Sequence, residues 1–189
     1  MKNIAVFASG AGTNAQKIID YFKNSSLGKV SLIGSNNHLA GVVKIAAAEN
    51  IQVLIFDKKE FNDSGYLHAL RSECVDFIAL AGFLWKIPGI LIENFPGKII
   101  NIHPALLPGY GGKGMYGSAV HDAVIKAGEK QSGITIHYVD EKYDHGRIIF
   151  QATCPTDKNE TVDSLAKKIH LLEHKYYPLE IEKILEKEE

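Results

Sequence analysis

The stretch "NIAVFASGAGTNA", residues 3–15, decides how the rest of the chain is read. A short apolar run, "IAVFAS", ends in glycine-rich punctuation, and an amphipathic segment over 13–24 follows. Strand, tight turn and helix in that order make the first half of a βα unit. The rhythm repeats: "VSLIGS" then 39–50, "VLIF" then 60–73, "FIALAG" then 88–94, "KIINIH" then about 117–128. Such alternation argues an α/β fold, a mostly parallel twisted sheet with helices on both faces. After Gly128 the rhythm changes. "GITIHYVDE" and "RIIFQATCP", joined by the short "KYDHG", read as an antiparallel strand pair at one side of the sheet, near the C-terminal part. A long final helix follows, with Thr161 as its cap beside Ser164 or Asp163. Pro178 is expected to kink that helix or break it in two.

The 189 residues, 46% hydrophobic and 23% charged, suit one domain, 1–189, with a substantial core. No repeat, low-complexity tract or interdomain linker interrupts them. A net charge of −1 gives no global pull toward nucleic acid or an anionic membrane. No run approaches the roughly 18 apolar residues of a membrane span, and the first apolar run is too short for a secretory signal. Cys74 and Cys154 lie far apart and outside any C-x-x-C pattern. Two buried thiols in a reducing compartment are expected rather than a disulfide or metal pair, which makes the chain a cytoplasmic protein. Monomer and homodimer both remain open.

In the first turn Gly10, Gly12 and Ala15 have G-x-G-x-x-A spacing. Glycines let backbone N–H groups approach a phosphate at the positive end of a helix dipole, and Thr13 and Asn14 add side-chain donors. The alternative is a tight turn that needs glycine geometry and binds nothing. A dinucleotide site also wants an acid at the end of the second strand, where this chain reads "IGSNN" (33–37). The phosphate signal stands and the NAD signal weakens. No G-x-x-x-x-G-K-[ST] occurs.

"HLLEH" (170–174) fits the inverted zinc-protease pattern, and His170 and His174 would share a helix face. That class draws a third ligand from well downstream, and only fifteen residues follow His174. A helix presenting Glu173 and His174 to a ligand, or simply to solvent, is the preferred reading.

The chemistry concentrates in "KIINIHPALLP" (98–108). Strand alternation puts Asn101 and His103 on one face and Ile100 and Ile102 on the other, and Pro104 ends the strand. A histidine at the carboxyl end of a parallel strand stands where open sheets place ligands, and it can pass a proton near neutrality. An adjacent amide can donate to charge developing on a carbonyl oxygen. Without a serine or cysteine nucleophile, this pair suits direct acyl transfer between two bound substrates. Asp144, in the turn between the last two strands, is the carboxylate expected to raise the imidazole pKa. A satisfied structural histidine is the alternative. The loop "GYGGKGMYG" (109–117) that follows is either a lid or a plain surface excursion.

"SGAGTN", "LAGFLWKIP", "NIHPALLP", "GITIHYVDEKYDHG" and "LEHKYYP" lie in the order found in phosphoribosylglycinamide formyltransferases, the folate-dependent enzymes of purine synthesis, and the chain resembles that family from its first strand to about Pro178. The resemblance implies a single-domain, Rossmann-like formyltransferase fold. It implies that the amine of glycinamide ribonucleotide attacks the formyl group of 10-formyltetrahydrofolate, with no metal. Asn101 would hold the oxyanion, His103 would act as general acid, and Asp144 would position His103 and raise its pKa. Gly12, Thr13 and Asn14 match the segment that binds the substrate phosphate, and Glu173 the residue at the glycinamide end. Leu84, Trp85, Lys86 and Ile87 match one wall of the folate pocket. Residues 139–144, including Val139 and Asp140, match the other, and Asn101 faces the folate as well.

The sequence also departs from the family pattern. The region "FDKKEFNDSGYLHAL" is short and lacks an arginine that many relatives place near the folate. Trp85 stands where arginine is common, His170 where glutamine is, and the 109–117 loop is longer. Related methionyl-tRNA formyltransferases add a tRNA-binding domain and formyltetrahydrofolate hydrolases add an N-terminal regulatory one, so a single domain with no net positive charge favours the phosphorylated small-molecule acceptor.

Overall fold

A computed structural model describes residues 1–61 and 64–187. Each apolar run of the βα rhythm forms a strand: β1 (Lys2–Phe7), β2 (Gly28–Ser35), β3 (Gln52–Ile55), β4 (Phe77–Leu80) and β5 (Ile99–His103). The intervening helices are α1 (Thr13–Phe22), α2 (Gly41–Ala48), α3 (Ser64–Ser72) and α4 (Gly89–Asn94), with α5 (Ser118–Lys126) after β5. The helix expected over 60–73 is seen from Ser64, and positions 62 and 63 lie outside the described residues. β6 (Gln131–Tyr138), β7 (Ile148–Pro155) and α6 (Val162–Glu186) complete the chain. One seven-stranded sheet results, in the order β3-β2-β1-β4-β5-β6-β7. Pairing is parallel as far as β5 and antiparallel at both β5–β6 and β6–β7.

Strand alternation divides the core into two layers. Ile4, Val6, Ala79, Ile100 and Ile102 face one way, against Ile18 and Phe22 of α1 and Leu165, Ile169 and Ile181 of α6. Ala5, Phe7, Ile78, Leu80 and Ile99 face the other way, against Leu67 and Leu70 of α3 and Leu91 of α4. Residues two apart share a layer because successive side chains of a strand leave opposite faces. That rule also fixes the side on which Asn101 and His103 stand.

α6 opens on a capping box: Thr161 Oγ1 accepts from the Ser164 N–H, and the Thr161 N–H donates to Ser164 Oγ. Against expectation, Pro178 does not divide the helix, which runs unbroken from Val162 to Glu186. Leu165 and Ile169 before the proline and Ile181 and Leu185 after it are buried in the same layer. Their burial outweighs the roughly 3 kcal/mol that an internal proline costs. The cysteine expectation is also corrected: both thiols are free, but Cys74 is exposed and Cys154 only half-buried. Among the described residues, no helix is long and apolar enough to cross a membrane.

Tyr177, wholly buried on α6, ties this helix to the sheet. Its hydroxyl donates to the Leu80 carbonyl at the end of β4 (2.9 Å) and lies 3.3 Å from the Ile100 carbonyl of β5. Tyr177→Phe leaves those carbonyls without this donor. It should lower the unfolding free energy by about 1–2 kcal/mol and the thermal midpoint by about 3–6 °C, read by calorimetry against wild type.

Candidate active site

β1, β2 and β3 step toward one edge of the sheet, and β4 returns to the opposite side of β1. The crevice beyond the carboxyl ends of strands at such a reversal is where open α/β sheets bind ligands. A cavity of about 720 Å³ opens there. The turn after β1 and the segment after β4 are bound together at its mouth. The Ser9 N–H donates to the Gly82 carbonyl (3.0 Å), and the Leu84 N–H donates to Ser9 Oγ (2.9 Å).

The structure brings the residues that the family resemblance assigns to the site to this cavity, whereas Ala15 of the first turn and His174 of the 170–174 pattern are not part of its wall. Gly12, Thr13 and Asn14 line it from the first turn, and Leu84, Trp85, Lys86 and Ile87 from the segment after β4. Asn101 and His103 come from β5, Val139, Asp140 and Asp144 from the β6–β7 connection, and Glu173 from α6. Trp85 packs edge-on against Phe61, with ring centroids 5.4 Å apart, so the loop after β3 gives it an aromatic support.

Antiparallel pairing of β5 with β6 sets the geometry at the centre, because its register puts Asn101 opposite His137 and His103 opposite Thr135. Asn101 Nδ2 lies 3.1 Å from His137 Nε2. His137 Nδ1 is 2.8 Å from the carbonyl of Tyr138. A carbonyl only accepts, so Nδ1 carries the hydrogen and Nε2 is left to receive the Asn101 N–H. The same logic fixes His103: its Nε2 is 2.8 Å from the Tyr110 carbonyl, so Nε2 donates and Nδ1 is the working nitrogen.

Asp144 is the hub. Its Oδ2 is 3.6 Å from His103 Nδ1 and accepts the Gly112 N–H at 2.9 Å. Its Oδ1 is 3.6 Å from His137 Nε2 and 3.4 Å from Asn101 Nδ2. Burial pushes the Asp144 carboxyl up, but the neighbouring rings of His137 and His103 and the Gly112 N–H together hold it below the ordinary carboxylate value. Asp144 pushes the His103 imidazole up, the direction expected of it, but the net shift is downward. Burial pushes that imidazole down further than Asp144 and the Tyr110 carbonyl push it up, so the ring is neutral at pH 7.

Two backbone features hold this hub. Asp144 has φ 54, the left-handed region that aspartate tolerates better than most residues. Two residues later, a Cβ on Gly146 would stand 1.8 Å from the Tyr138 carbonyl, which accounts for the glycine that closes "KYDHG". Gly12 likewise has φ 82, and a Cβ there would meet the Cα of Val42 at 2.8 Å. The first turn thus needs its glycine for packing whether or not it binds phosphate.

On the α6 side, Glu173 is buried and accepts from Asn14 Nδ2 at 3.0 Å, with His170 Nε2 4.0 Å away. Burial raises its carboxyl pKa further than the Asn14 bond lowers it. His170 and His174 stack nearly parallel with centroids 6.0 Å apart. Among the described residues, no group of three or more His, Cys, Asp or Glu side chains is arranged to hold a metal ion.

Sequence reasoning missed several members of the site. His137 carried the same signal as Asn101, a polar side chain in an apolar strand, but its partner depends on register. Thr135 Oγ1 donates to the Ala105 carbonyl (2.7 Å) and accepts from the Leu107 N–H and from Gln151 Nε2 (both 2.9 Å). It thereby clamps the segment just after His103. His121 lines the cavity from α5 among apolar neighbours, where a histidine reads as core.

The comparisons with known proteins agree with this construction. The family described as formyl transferase matches residues 2–181. A chloroplastic phosphoribosylglycinamide formyltransferase of Arabidopsis thaliana is 43% identical over 93% of this chain, which spans 63% of that protein's length. The phosphoribosylglycinamide formyltransferase of Bacillus subtilis (strain 168) is 38% identical over 98% of this chain and 95% of its own. A crystal structure of phosphoribosylglycinamide formyltransferase from Bacillus halodurans superposes with a TM-score of 0.90 at 35% identity, covering 100% of this chain and 97% of that one. The chain belongs to the formyl transferase family and, within it, groups with the phosphoribosylglycinamide formyltransferases.

Proposed function

We propose that this protein transfers the formyl group of 10-formyltetrahydrofolate to the amine of glycinamide ribonucleotide, releasing formylglycinamide ribonucleotide and tetrahydrofolate, as a cytoplasmic step of purine synthesis. One observation carries the reading. The carboxylate of Asp144, 10% exposed, lies 3.6 Å from the free nitrogen of His103 and 3.4 Å from the amide of Asn101, at the switch point of the sheet. The acceptor's phosphate suits the first turn of α1, whose N-cap is Gly12 and which no side chain caps, leaving N–H groups for an anion. Glu173, with Asn14 beside it, faces the glycinamide end. The folate occupies the half of the cavity lined by 84–87 and by Val139 and Asp140.

The chemistry follows from the hydrogen-bonding roles. The neutral amine attacks the formyl carbon, and negative charge grows on the formyl oxygen. One Asn101 N–H is engaged by His137. The other makes only the long 3.4 Å contact with Asp144, a weak bond that it exchanges for the oxyanion. His103 Nδ1, neutral at rest, accepts the proton that the attacking nitrogen must lose. It then acts as the general acid, delivering that proton to N10 of the departing tetrahydrofolate. Asp144 stabilises the imidazolium in the interval and holds its ring in place. No metal enters any step.

The direct test follows tetrahydrofolate release by the purified protein with both substrates. Release that depends on glycinamide ribonucleotide is expected, and release without it would mean a hydrolase. Asn101→Ala should lose roughly 10²–10³ in kcat, the scale for one oxyanion donor, and turnover like wild type would remove that role. By NMR, the His103 ring should titrate below pH 6.5, since burial favours its neutral form. Asp144→Asn removes the charge that favours the imidazolium, so the midpoint should move lower still. An upward move would contradict the assignment.

A further inference from the structure

His121 is left without a task by this mechanism. It stands on the inner face of α5, flanked by the buried Val120 and Val124, is 3% exposed and forms part of the cavity wall. The other buried histidines of the site have partners: His103 meets the Tyr110 carbonyl, and His137 meets Tyr138 and Asn101. Among the described residues His121 Nδ1 meets none, although it is sealed from solvent. A buried polar atom without a partner in the protein points to one supplied from elsewhere.

Place and charge say what that partner is. Burial pushes the His121 ring toward its neutral form, and the nearby rings of His170 and His103 push it the same way. His121 shares the wall of one cavity with His103 of β5, with His170 and Glu173 of α6 and with Asn14. A neutral imidazole has one donor and one acceptor, so it matches a hydroxyl or an amide and not a phosphate, which would favour the cation. The phosphate already has the α1 turn, and the formyl carbon has Asn101 and His103. The uncharged middle of the acceptor lies between them.

We infer that His121 is a specificity-determining residue of the acceptor half, hydrogen-bonding through its neutral ring to an uncharged polar group between the phosphate and the reactive amine. The inference rests on the reaction proposed above. Rotation about the soft χ2 bond brings Nδ1 to the ligand. The residue selects an acceptor that carries a sugar or amide at that point over a bare phosphorylated amine, because only the former satisfies the buried nitrogen.

The wild-type protein supplies the first test. Saturation with glycinamide ribonucleotide alone should shift the ¹⁵N resonances of His121, and unchanged resonances at saturation would overturn the inference. His121→Phe keeps an aromatic ring but no nitrogen, and it should weaken acceptor binding roughly tenfold. His121→Gln keeps a donor and an acceptor and should stay within about threefold of wild type. The KM for the folate donor should be unchanged in both. Acceptor affinity like wild type in the Phe variant, or equal losses for donor and acceptor, would mean a structural role only. A wild-type protein that neither binds nor formylates the ribonucleotide overturns the proposed reaction together with this inference. Turnover with an indifferent His121 overturns the inference alone.

Discussion

The pairing of Asn101 with His137 across β5 and β6 is the constraint on which the site depends. Side chains in a strand repeat every two residues, so this single register decides which face all of them take. It puts Ile102 beside Ile136 in the layer under α1 and α6, sets Asn101, His103 and His137 at the cavity, and buries Thr135 on their face of the strands. A slip of one residue would bury the polar set among the isoleucines. The apolar layer therefore enforces the polar alignment, and the hydrophobic core selects the geometry of the chemistry. Thr135 extends the row to Gln151 on β7, its own register partner, so three strands fix the backbone just after His103.

Within that frame, burial and charge work against each other, and the outcome differs from group to group. Asp144 is part-buried and His103 buried, and burial disfavours the charged form of each. The carboxyl sits among an N–H and two rings and ends below its ordinary value. The imidazole has one carboxylate partner at 3.6 Å, and desolvation outweighs it. The pair at rest is a carboxylate beside a neutral ring. Such a pair is ready to receive a proton, and the carboxylate is already in place to stabilise the cation once it forms.

Much of this was legible in the sequence because it rests on local rules. The βα rhythm marked each strand, alternation put Asn101 and His103 on one face, and Thr161 with Ser164 marked the start of α6. What escaped depends on contacts between distant parts of the chain. His137 and Thr135 matter through cross-strand register, which a single strand does not display. The sign of the His103 shift depends on how much protein covers it, whereas the sequence displayed only the carboxylate. Pro178 has the ordinary character of a helix breaker, and only the burial of both its flanks keeps α6 whole. Cys74 and Cys154 show the limit of composition: cysteine is usually buried, but neither position lies in the core.

The glycine-rich loop after β5 was open to two readings, lid or surface excursion, and the hydrogen bonds narrow the choice. Its Tyr110 carbonyl holds Nε2 of His103, and its Gly112 N–H holds Oδ2 of Asp144. The first bond occupies His103 Nε2 and leaves Nδ1 toward Asp144, and the second bond is made to Oδ2, the carboxylate oxygen nearest that Nδ1. If the loop withdrew, His103 would lose the acceptor that fixes its tautomer, and Asp144 would lose a donor that keeps it ionised. Residues 112–117 also line the cavity, so a ligand that contacts them stabilises the same arrangement that makes His103 Nδ1 the working nitrogen. The loop thus joins the cavity wall to both His103 and Asp144 through two backbone hydrogen bonds.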